Sequence, residues 1–438
     1  KCILCGRCVR VCEEVQGVTN LEQQRRGFTT LPAPAHEADM KDAVCIHCGQ
    51  CVNVCPTAAM LERRSVEPVF DALENPDLHV VVQTAPSIRA AVGEGFGFEP
   101  GTATTGKMVT ACRMMGFEGV FDTNFSADLT IVEEATEFLA RLKSGEKLPL
   151  ITSCSPGWVA FMERFYPELI PLASSCKSPM SMLSTLLKTY YAEQKGIDPE
   201  QVFVVAVMPC TAKKFEAERP EHVAPFGKPY TDAVITTREF IWMAKSLGIN
   251  YQELPDGDFD SPLGVSSGAG DIFGATGGVM EAALRTAYET VTGETCPEID
   301  FNQVRGVKGV KEATIKIRDQ EINIGVANGL NNAKQLLDKV AAGKQTFHLI
   351  EIMACPGGCV AGGGQPYPPG ERYVLDPELA TLRAQALYSI DSHKKLRKSH
   401  ENPAIKKLYE DFLGEPNGHK SHELLHTSYV PREPRGVK

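Results

Sequence analysis

The sequence has no apolar run near the roughly 18 residues that a membrane-spanning helix needs, and it has no long basic block. Acidic residues exceed basic ones by 55 to 45, which gives a formal net charge of −10. A chain with this balance is not expected to have nucleic acid or an anionic membrane as its main partner. Hydrophobic residues (43%) and charged residues (23%) occur at ordinary globular frequencies, so neither a disordered nor a collagen-like chain is expected.

The length predicts more than one packed unit, because a single hydrophobic core stops growing at roughly 250–300 residues and this chain has 438. The first residue is Lys1 instead of Met, and a cysteine motif begins at Cys2. We therefore expect the natural protein to continue upstream, where a targeting segment would lie.

Fifteen cysteines are the main excess in the composition. Disulfide frameworks are typical of short secreted chains, whereas these cysteines crowd into a few tight spacings in a long one. The pattern therefore favours bound metal. Three cysteines have no partner spacing, and we interpret them as small buried hydrophobic residues: Cys112, Cys176 and Cys296.

Two stretches near the N-terminus repeat the spacing C-x2-C-x2-C-x3-C. This is the run of bacterial ferredoxins, in which three thiolates of one motif and the fourth of the other hold each 4Fe-4S cubane. We therefore predict a first cluster site and a second cluster site, formed respectively by Cys2, Cys5, Cys8 and Cys55, and by Cys45, Cys48, Cys51 and Cys12. Zinc is the alternative, but four ligands per zinc do not explain two interlocked sets of four.

The rest of the chain alternates short β-branched runs with longer helical stretches. The runs are HVVVQTA, PLITS, VFVVAVM, NIGVANG and FHLIEIM, and the helical stretches include VEEATEFLARLK and GGVMEAALRTAYETV. This alternation predicts an α/β unit in which loops at the strand ends carry function.

Three of these strand ends carry cysteine, namely Cys154, Cys210 and the pair Cys355 and Cys359. The pair is four residues apart, so on a helical turn both thiolates can reach one cluster. A free-thiol turn followed by a plain glycine loop is the structural alternative for this segment. Cysteines at two other strand ends favour the metal interpretation.

These segments resemble the three signatures of iron-iron (FeFe) hydrogenases: 152–158 (TSCSPGW), 208–216 (MPCTAKKFE) and 351–365 (EIMACPGGCVAGGGQ). The resemblance runs from the ferredoxin-like module to near the C-terminus. It implies an α+β ferredoxin-like domain followed by a two-lobed α/β catalytic domain with the active site between the lobes. We place the boundaries at 1–75, 76–375 and, for a small-subunit-like tail that wraps the catalytic domain, 376–438.

The resemblance also implies an H-cluster, which is a 4Fe-4S cubane joined through a thiolate to a two-iron centre with CO, cyanide and a bridging dithiolate. Cys210, Cys355 and Cys359 would be cubane ligands, with Cys359 the bridge. The two-iron centre would contact Pro86, Ser87, Met208, Lys213 and Met353. Ordinary core filling is the alternative for the two methionines. Lys213 would meet cyanide, whereas Lys214 is interpreted as a solvated surface charge.

Position 155 departs from the family, which has two adjacent cysteines (TSCCP), a proton relay followed by the fourth cubane ligand. Counting from Cys210 puts Cys154 at the relay and Ser155 at the ligand. Either Ser155 ligates, or Cys154 moves in as ligand, or the change is an engineered substitution; we assign Ser155. A serine alkoxide is harder and more basic than thiolate, so the cubane should be weaker or lower in potential. Met180, where the family has glutamine, is a milder departure.

Charged residues in VEEATEFLARLK recur on one helix face: Glu134, Glu137 and Arg141 fall at i, i+3 and i+7. A solvated, salt-bridged face is the usual reading of such a pattern. The resemblance instead implies a proton relay through Cys154, Glu134, Ser174, Glu137 and Arg141.

The resemblance predicts a hydrogenase that oxidises H2 and reduces protons reversibly. Electrons would pass through the two 4Fe-4S clusters to a ferredoxin or to an NAD(P)-linked subunit of a larger complex, since we find no convincing nucleotide site in this chain. The fused tail favours the cytoplasm. The alternative is a non-catalytic iron-sulfur assembly protein, or a hydrogen sensor, on the same fold. His419, His422 and His426 have helical spacing but no carboxylate or cysteine companion, so zinc binding there is an open but disfavoured alternative.

Overall fold

The computed structural model describes residues 1–343 and 347–432. Its N-terminal part has little regular structure: the antiparallel strands β1 (Glu22–Gln24) and β2 (Leu31–Ala33), and the single-turn helices α1 (Arg7–Arg10) and α2 (Gln50–Asn53). Gly6 and Gly49 precede these two helices, and both have φ of 71°. Glycine adopts this left-handed conformation without steric cost, which lets each cysteine loop turn sharply into its helix.

The first lobe is a four-stranded parallel sheet in the order β4-β3-β6-β7. Its strands are β3 (His79–Thr84), β4 (Gly119–Asp122), β6 (Val202–Met208) and β7 (Ala233–Thr236). Their continuous β-branched runs are buried on both faces, as expected for a parallel sheet covered by helices. One face packs on α3 (Glu67–Glu74), α4 (Thr105–Met114) and α10 (Thr237–Ser246), the other on α5 (Thr123–Ser144) and α7 (Pro179–Leu186).

The second lobe is a four-stranded sheet in the order β5-β10-β9-β8. β5 (Leu150–Ile151), β10 (Leu349–Met353) and β9 (Gln320–Asn328) are parallel, whereas β8 (Val310–Ile317) is antiparallel to β9. α12 (Gly278–Thr292) covers one face, and α6 (Pro156–Phe165) and α13 (Leu330–Ala341) cover the other. The predicted alternation of strands and helices is therefore confirmed, and the strands form two sheets, one in each lobe of the predicted two-lobed domain.

The remaining helices connect the lobes or form the C-terminal segment. They are α8 (Ala192–Lys195), α9 (Ala212–Ala217), α11 (Gly268–Ile272), α14 (Pro377–His393), α15 (Pro403–Leu408) and α16 (His419–Leu425), with π-helical turns at Val11–Val15, Leu187–Tyr191 and Tyr409–Leu413. Within the described ranges, no helix combines the length and the apolar character needed to cross a bilayer.

Helix α5 joins the two lobes. The side chain of Asp122 caps its N-terminus, and Gly145, with φ of 73°, ends it. Its buried residues pack in the cores of both lobes, on α7 of the first and α12 of the second. The helix therefore holds its charged residues at a fixed position between the lobes.

Buried ion pairs fasten the C-terminal segment to the lobes. Arg383 of α14 makes two bonds of 2.7 Å to the carboxylate of Glu94, and Arg285 of α12 binds Asp391 at 2.8 Å. Both side chains of the first pair are at most 2% exposed. A buried charge without its partner is costly, so these pairs fix where the tail lies.

Replacement of Arg383 tests this attachment. Arg383→Met leaves Glu94 as a buried carboxylate without its cation, and we expect a loss of roughly 3–5 kcal/mol in the free energy of unfolding, measured as a lower midpoint of thermal unfolding. The double variant Arg383→Met with Glu94→Gln should recover part of this loss. Lys407→Met is the control, because its pair with Asp411 is exposed; equal midpoints for Arg383→Met and Lys407→Met would contradict the prediction.

Candidate metal centre

A cavity lies where the carboxyl ends of the two sheets meet. The loop after β3 contributes Pro86 and Ser87, the end of β6 and the loop after it contribute Met208 and Cys210, and the loop after β5 contributes Cys154 and Ser155. The end of β10 and the following loop contribute Met353, Cys355 and Cys359. The predicted residues, which come from distant parts of the chain, therefore line one cavity.

The donor atoms in this cavity suit iron. Cys154, Cys210 and Cys359 are half-buried, because their side chains line the cavity. Burial, reinforced by the neighbouring Cys210, raises the pKa of Cys355 to about 12. The bare protein therefore keeps this thiol protonated, and a bound cation would be needed to hold the thiolate. Ser155 Oγ faces the same loop and accepts a hydrogen bond of 3.3 Å from Ala354 N.

Glycines keep side chains out of the cavity walls. Gly358 has φ of 96°, and a Cβ added there would lie 2.6 Å from Thr276 N. A Cβ on Gly362 would lie 2.2 Å from the carbonyl oxygen of Pro209, and one on Gly274 would lie 2.9 Å from Ser87 Cβ. The wall is built by backbone approaching backbone. Together with the sulfur donors, this leaves a cradle that fits a large inorganic group such as the H-cluster.

The residues predicted to contact the two-iron centre line the cavity too. Met208 is 2% and Met353 3% exposed. Ser87 is buried, and its hydroxyl accepts a bond of 3.3 Å from Gln365. Met180, the milder departure from the family pattern, is a further wall residue. Apart from the thiols and a few polar groups, this lining is apolar and excludes bulk water.

Lys213 reaches the cavity but already has protein partners. Its ammonium donates to Glu216 Oε2 and Ser178 Oγ, each at 2.7 Å, and to the carbonyl oxygen of Cys154 at 3.2 Å. Glu216 was not among the predicted site residues, although it stands in the second signature. The ammonium lowers the pKa of Glu216 against the effect of burial, so this carboxylate anchors Lys213.

The interpretation of Lys214 as a solvated charge is wrong. Its side chain is 7% exposed and pairs with Glu239 at 2.7 Å. It also donates to the carbonyl oxygen of Arg63, at 2.6 Å, and to Ser65 Oγ, at 3.1 Å. Lys214 therefore ties the segment before α3 to the first lobe. The two adjacent lysines lie on different sides of the short helix α9, and the sequence does not reveal that both sides are buried.

The ferredoxin-like cysteines form the two interlocked groups that were predicted. Cys2, Cys5, Cys8 and Cys55 line one cavity at the surface. Cys12 lies close enough to Cys45 and Cys51 for its thiolate to raise the pKa of both. Cys2 and Cys5 are exposed. The first cluster site therefore faces solvent.

The second cluster site lies directly against the central cavity. Cys48 is itself one of the residues that line it. Thr211, next to Cys210, donates a hydrogen bond of 2.7 Å to the carbonyl oxygen of His47. A Cβ on Gly363 would lie 2.1 Å from the carbonyl oxygen of Cys48. The backbones of the two modules are therefore in contact here. This contact places the second cluster site next to the central cavity.

The predicted relay residues lead away from the cavity in order. Cys154 lies near Glu134, whose charge raises the pKa of the thiol in addition to burial. Burial also raises the pKa of Glu134 to about 8. The Ser174 hydroxyl lies against Glu134 and donates to Glu137 Oε2 at 3.2 Å. Arg141 donates to Glu137 Oε1 at 2.5 Å.

The expectation that the C-terminal histidines lack companions is wrong for His426. Tertiary packing brings donor atoms of Glu137, Cys176 and His426 within 4.8 Å of one another. Glu137 and Cys176 are far from this histidine in sequence, so their spacing carries no signal. Cys112, Cys176 and Cys296 are buried, as predicted.

Comparison with known families gives three matches along the chain. "Iron only hydrogenase large subunit, C-terminal domain" matches residues 78–363, "4Fe-4S dicluster domain" matches 1–59, and "Iron hydrogenase small subunit" matches 377–432. The large-subunit match alone spans more than half of the chain.

Similar proteins agree with these matches. The NADP-reducing hydrogenase subunit HndD of Solidesulfovibrio fructosivorans is 54% identical over 439 aligned residues, covering 99% of this chain and 74% of that protein. Iron hydrogenase 1 of Clostridium pasteurianum is 45% identical over 429 residues, covering 98% and 74%. A solved structure of an apo FeFe-hydrogenase HydA1 variant from Chlamydomonas reinhardtii has a TM-score of 0.74 at 44% identity, covering 85% of this chain and 99% of that one. The chain therefore belongs to the iron-only hydrogenase family, and it is a hydrogenase whose cofactors are two 4Fe-4S clusters and an H-cluster.

Proposed function

We propose that this hydrogenase oxidises H2 reversibly and passes the electrons through its two 4Fe-4S clusters to an NAD(P)-linked subunit of a larger cytoplasmic complex. The observation that carries the proposal is the shared wall: Cys48 of the second cluster site lines the same cavity as Cys210, Cys355 and Cys359. The name of the HndD relative, an NADP-reducing subunit, favours a nucleotide-linked partner. A ferredoxin is the second candidate acceptor.

In this proposal Ser155, Cys210, Cys355 and Cys359 would hold the H-cluster. When bound, the H-cluster supplies a metal that polarises H2 and takes up its electrons. The chain's own part is to keep the cavity dry with Met208 and Met353. Pro86, Ser87 and Lys213 would contact the two-iron centre, and Glu216 holds Lys213 in place.

Protons would leave by a route separate from that of the electrons. Cys154 takes the proton at its sulfur and passes it to Glu134, and the Ser174 hydroxyl passes it on to Glu137. Glu134 suits this role because a carboxyl with a pKa of about 8 exchanges its proton near neutral pH. Arg141 holds the outer carboxylate in position.

Electrons would leave in the opposite direction, through the second and then the first cluster site. Each cubane carries one electron at a time, so two clusters in series can take up the two electrons of H2. The exposure of Cys2 and Cys5 allows a partner to approach the first cluster.

The domain boundaries near residues 75 and 375 remain a prediction.

Removal of the first cluster site tests the electron route. Cys5→Ala should retain isotope exchange between H2 and D2O, because exchange needs only the active site and the proton route. Reduction of NADP+ in the presence of a purified nucleotide-binding partner subunit should fall close to background. The matured wild-type chain is the control, and a variant that reduces NADP+ at the wild-type rate would overturn the proposed route. If ferredoxin alone accepts electrons, the partner assignment is wrong.

The assignment of Ser155 predicts the effect of restoring a thiolate. Ser155→Cys should raise the reduction potential of the cubane and its iron content after maturation, because thiolate is a softer and less basic ligand than alkoxide. The reduction potential is measured by potentiometric titration monitored by electron paramagnetic resonance. The iron content is measured by iron analysis. Cys112→Ser, in the buried core away from the cavity, is the control. An unchanged potential in Ser155→Cys would show that another atom holds the fourth iron.

The raised pKa of Glu134 predicts a pH effect on stability. A carboxyl whose folded pKa lies near 8 and whose unfolded pKa is about 4.5 destabilises the fold as pH rises between these values. Glu134→Gln should therefore unfold at a higher temperature than wild type above pH 8, and the difference should shrink in acid. Thermal unfolding at several pH values measures this, and a pH-independent difference would contradict it.

A further inference from the structure

Glu137 stands at the outer end of the proposed relay, and two side chains lead away from it. Arg141 donates to Oε1 at 2.5 Å, and Ser175 donates to Oε2 through its backbone N and its hydroxyl, each at 3.2 Å. A guanidinium keeps its proton at all working pH values. Arg141 can therefore orient Glu137 but cannot pass a proton on.

Ser175, the other partner of Glu137, leads to His426, a group that can pass a proton on. Ser175 Oγ lies 2.8 Å from His426 Nδ1. Backbone bonds hold the two segments together, from Lys177 N to the carbonyl oxygen of Leu425 and from Thr427 N to that of Ser175, both 2.8 Å. Imidazole takes up and releases protons near neutral pH, and it has a nitrogen on each side for the two steps.

A carboxylate fixes the far side of the histidine. His426 Nε2 lies 3.1 Å from Glu133 Oε2. The same carboxylate accepts bonds from the Tyr409 hydroxyl, at 2.5 Å, from Asn417 N, at 2.7 Å, and from Ser421 Oγ. These donors lower the pKa of Glu133 despite its burial, so it stays charged and can support an imidazolium.

The ring also has a route to solvent. His422 is exposed, and its ring stacks on His426 with centroids 4.0 Å apart. His426 itself is 8% exposed. The titratable groups that face it from the surrounding elements are Glu133, Glu137, Cys176, Tyr409 and His422.

We propose that His426, on the C-terminal segment, carries protons between Glu137 and solvent through Ser175, while Arg141 is a positioning residue; this rests on the relay of the proposed function. Outward, the protonated Glu137 gives its proton to Ser175 Oγ as the serine hydroxyl gives its own to His426 Nδ1. The imidazolium then releases the Nε2 proton to the Glu133 carboxylate that faces it and from there to solvent, which leaves a neutral ring protonated at Nδ1 while Ser175 and Glu137 regain their starting bonds. Proton exchange with solvent on the His422 side returns the ring to the Nε2-protonated tautomer before the next transfer. Inward transfer reverses these steps.

The chain offers a closely matched control for His426→Gln. His400, in the same C-terminal segment, is also held between a hydroxyl and a carboxylate, with Thr286 Oγ1 at 3.1 Å and Glu289 Oε2 at 2.9 Å. His400→Gln should keep wild-type H2 evolution. His426→Gln should lose about tenfold, less than the roughly 10²–10⁴-fold attributed to proton transfer at the reacting atoms, and imidazole in the buffer should restore part of it.

A second readout follows protons without the H-cluster. The infrared band of the protonated Glu134 carboxyl, identified by its absence in Glu134→Gln, shifts when its proton exchanges for deuterium. After transfer of unmatured protein into D2O, this shift should be slower in His426→Gln and in Ser175→Ala than in wild type or His400→Gln. Ser175→Ala leaves the imidazole in place, so it tests the route even where His426→Gln fails to fold.

The outcomes separate the two proposals. If Glu137→Gln keeps both the wild-type activity and the wild-type rate of deuterium exchange at the Glu134 carboxyl, the relay of the proposed function is wrong. The proposed exit through His426 is then wrong as well. If Glu137→Gln is impaired but His426→Gln and Ser175→Ala behave as His400→Gln does, the relay stands and the His426 exit is overturned. Slower exchange in both exit variants, with imidazole rescue of His426→Gln, supports the exit.

Discussion

The carboxyl ends of the two sheets face one another across a cavity. The rest of the structure depends on keeping water out of this cavity and on lining it with sulfur donors. Thiols from three strand ends converge there, and burial disfavours their charged forms. A bound metal group would stabilise the thiolates that the apolar cavity alone disfavours.

The separate exits that we propose for the two kinds of charge rest on the positions of the neighbouring elements. The ferredoxin-like loop around Cys48 abuts one wall of the cavity, where backbone contact brings the clusters together. Helix α5 leaves near Cys154 and carries carboxylates toward the surface between the lobes. A hydrated path on the cluster side would let water reach the cubane, whereas a chain of fixed carboxyls and hydroxyls moves protons without a water-filled channel.

The C-terminal segment links stability to this arrangement. Glu133 accepts hydrogen bonds from three parts of that segment and lies one residue before Glu134 of the relay. Arg383 and Asp391 anchor the same segment to Glu94 and Arg285. These contacts attach the C-terminal segment to helix α5 and to both lobes.

The sequence by itself determined the chemistry that is local in the chain. The doubled cysteine spacing specified two interlocked cluster sites, and continuous β-branched runs specified β3, β6 and the parallel core, because both signals arise from neighbouring residues. The half-exposed β8 and the four-residue strands β4 and β7 have weaker patterns and were not predicted. Only the tertiary structure decided that Lys214 is buried against Glu239 and that His426 meets Glu133 and Ser175. Those contacts join residues up to 293 positions apart, and no periodicity within a chain records which distant side chain will occupy the facing position.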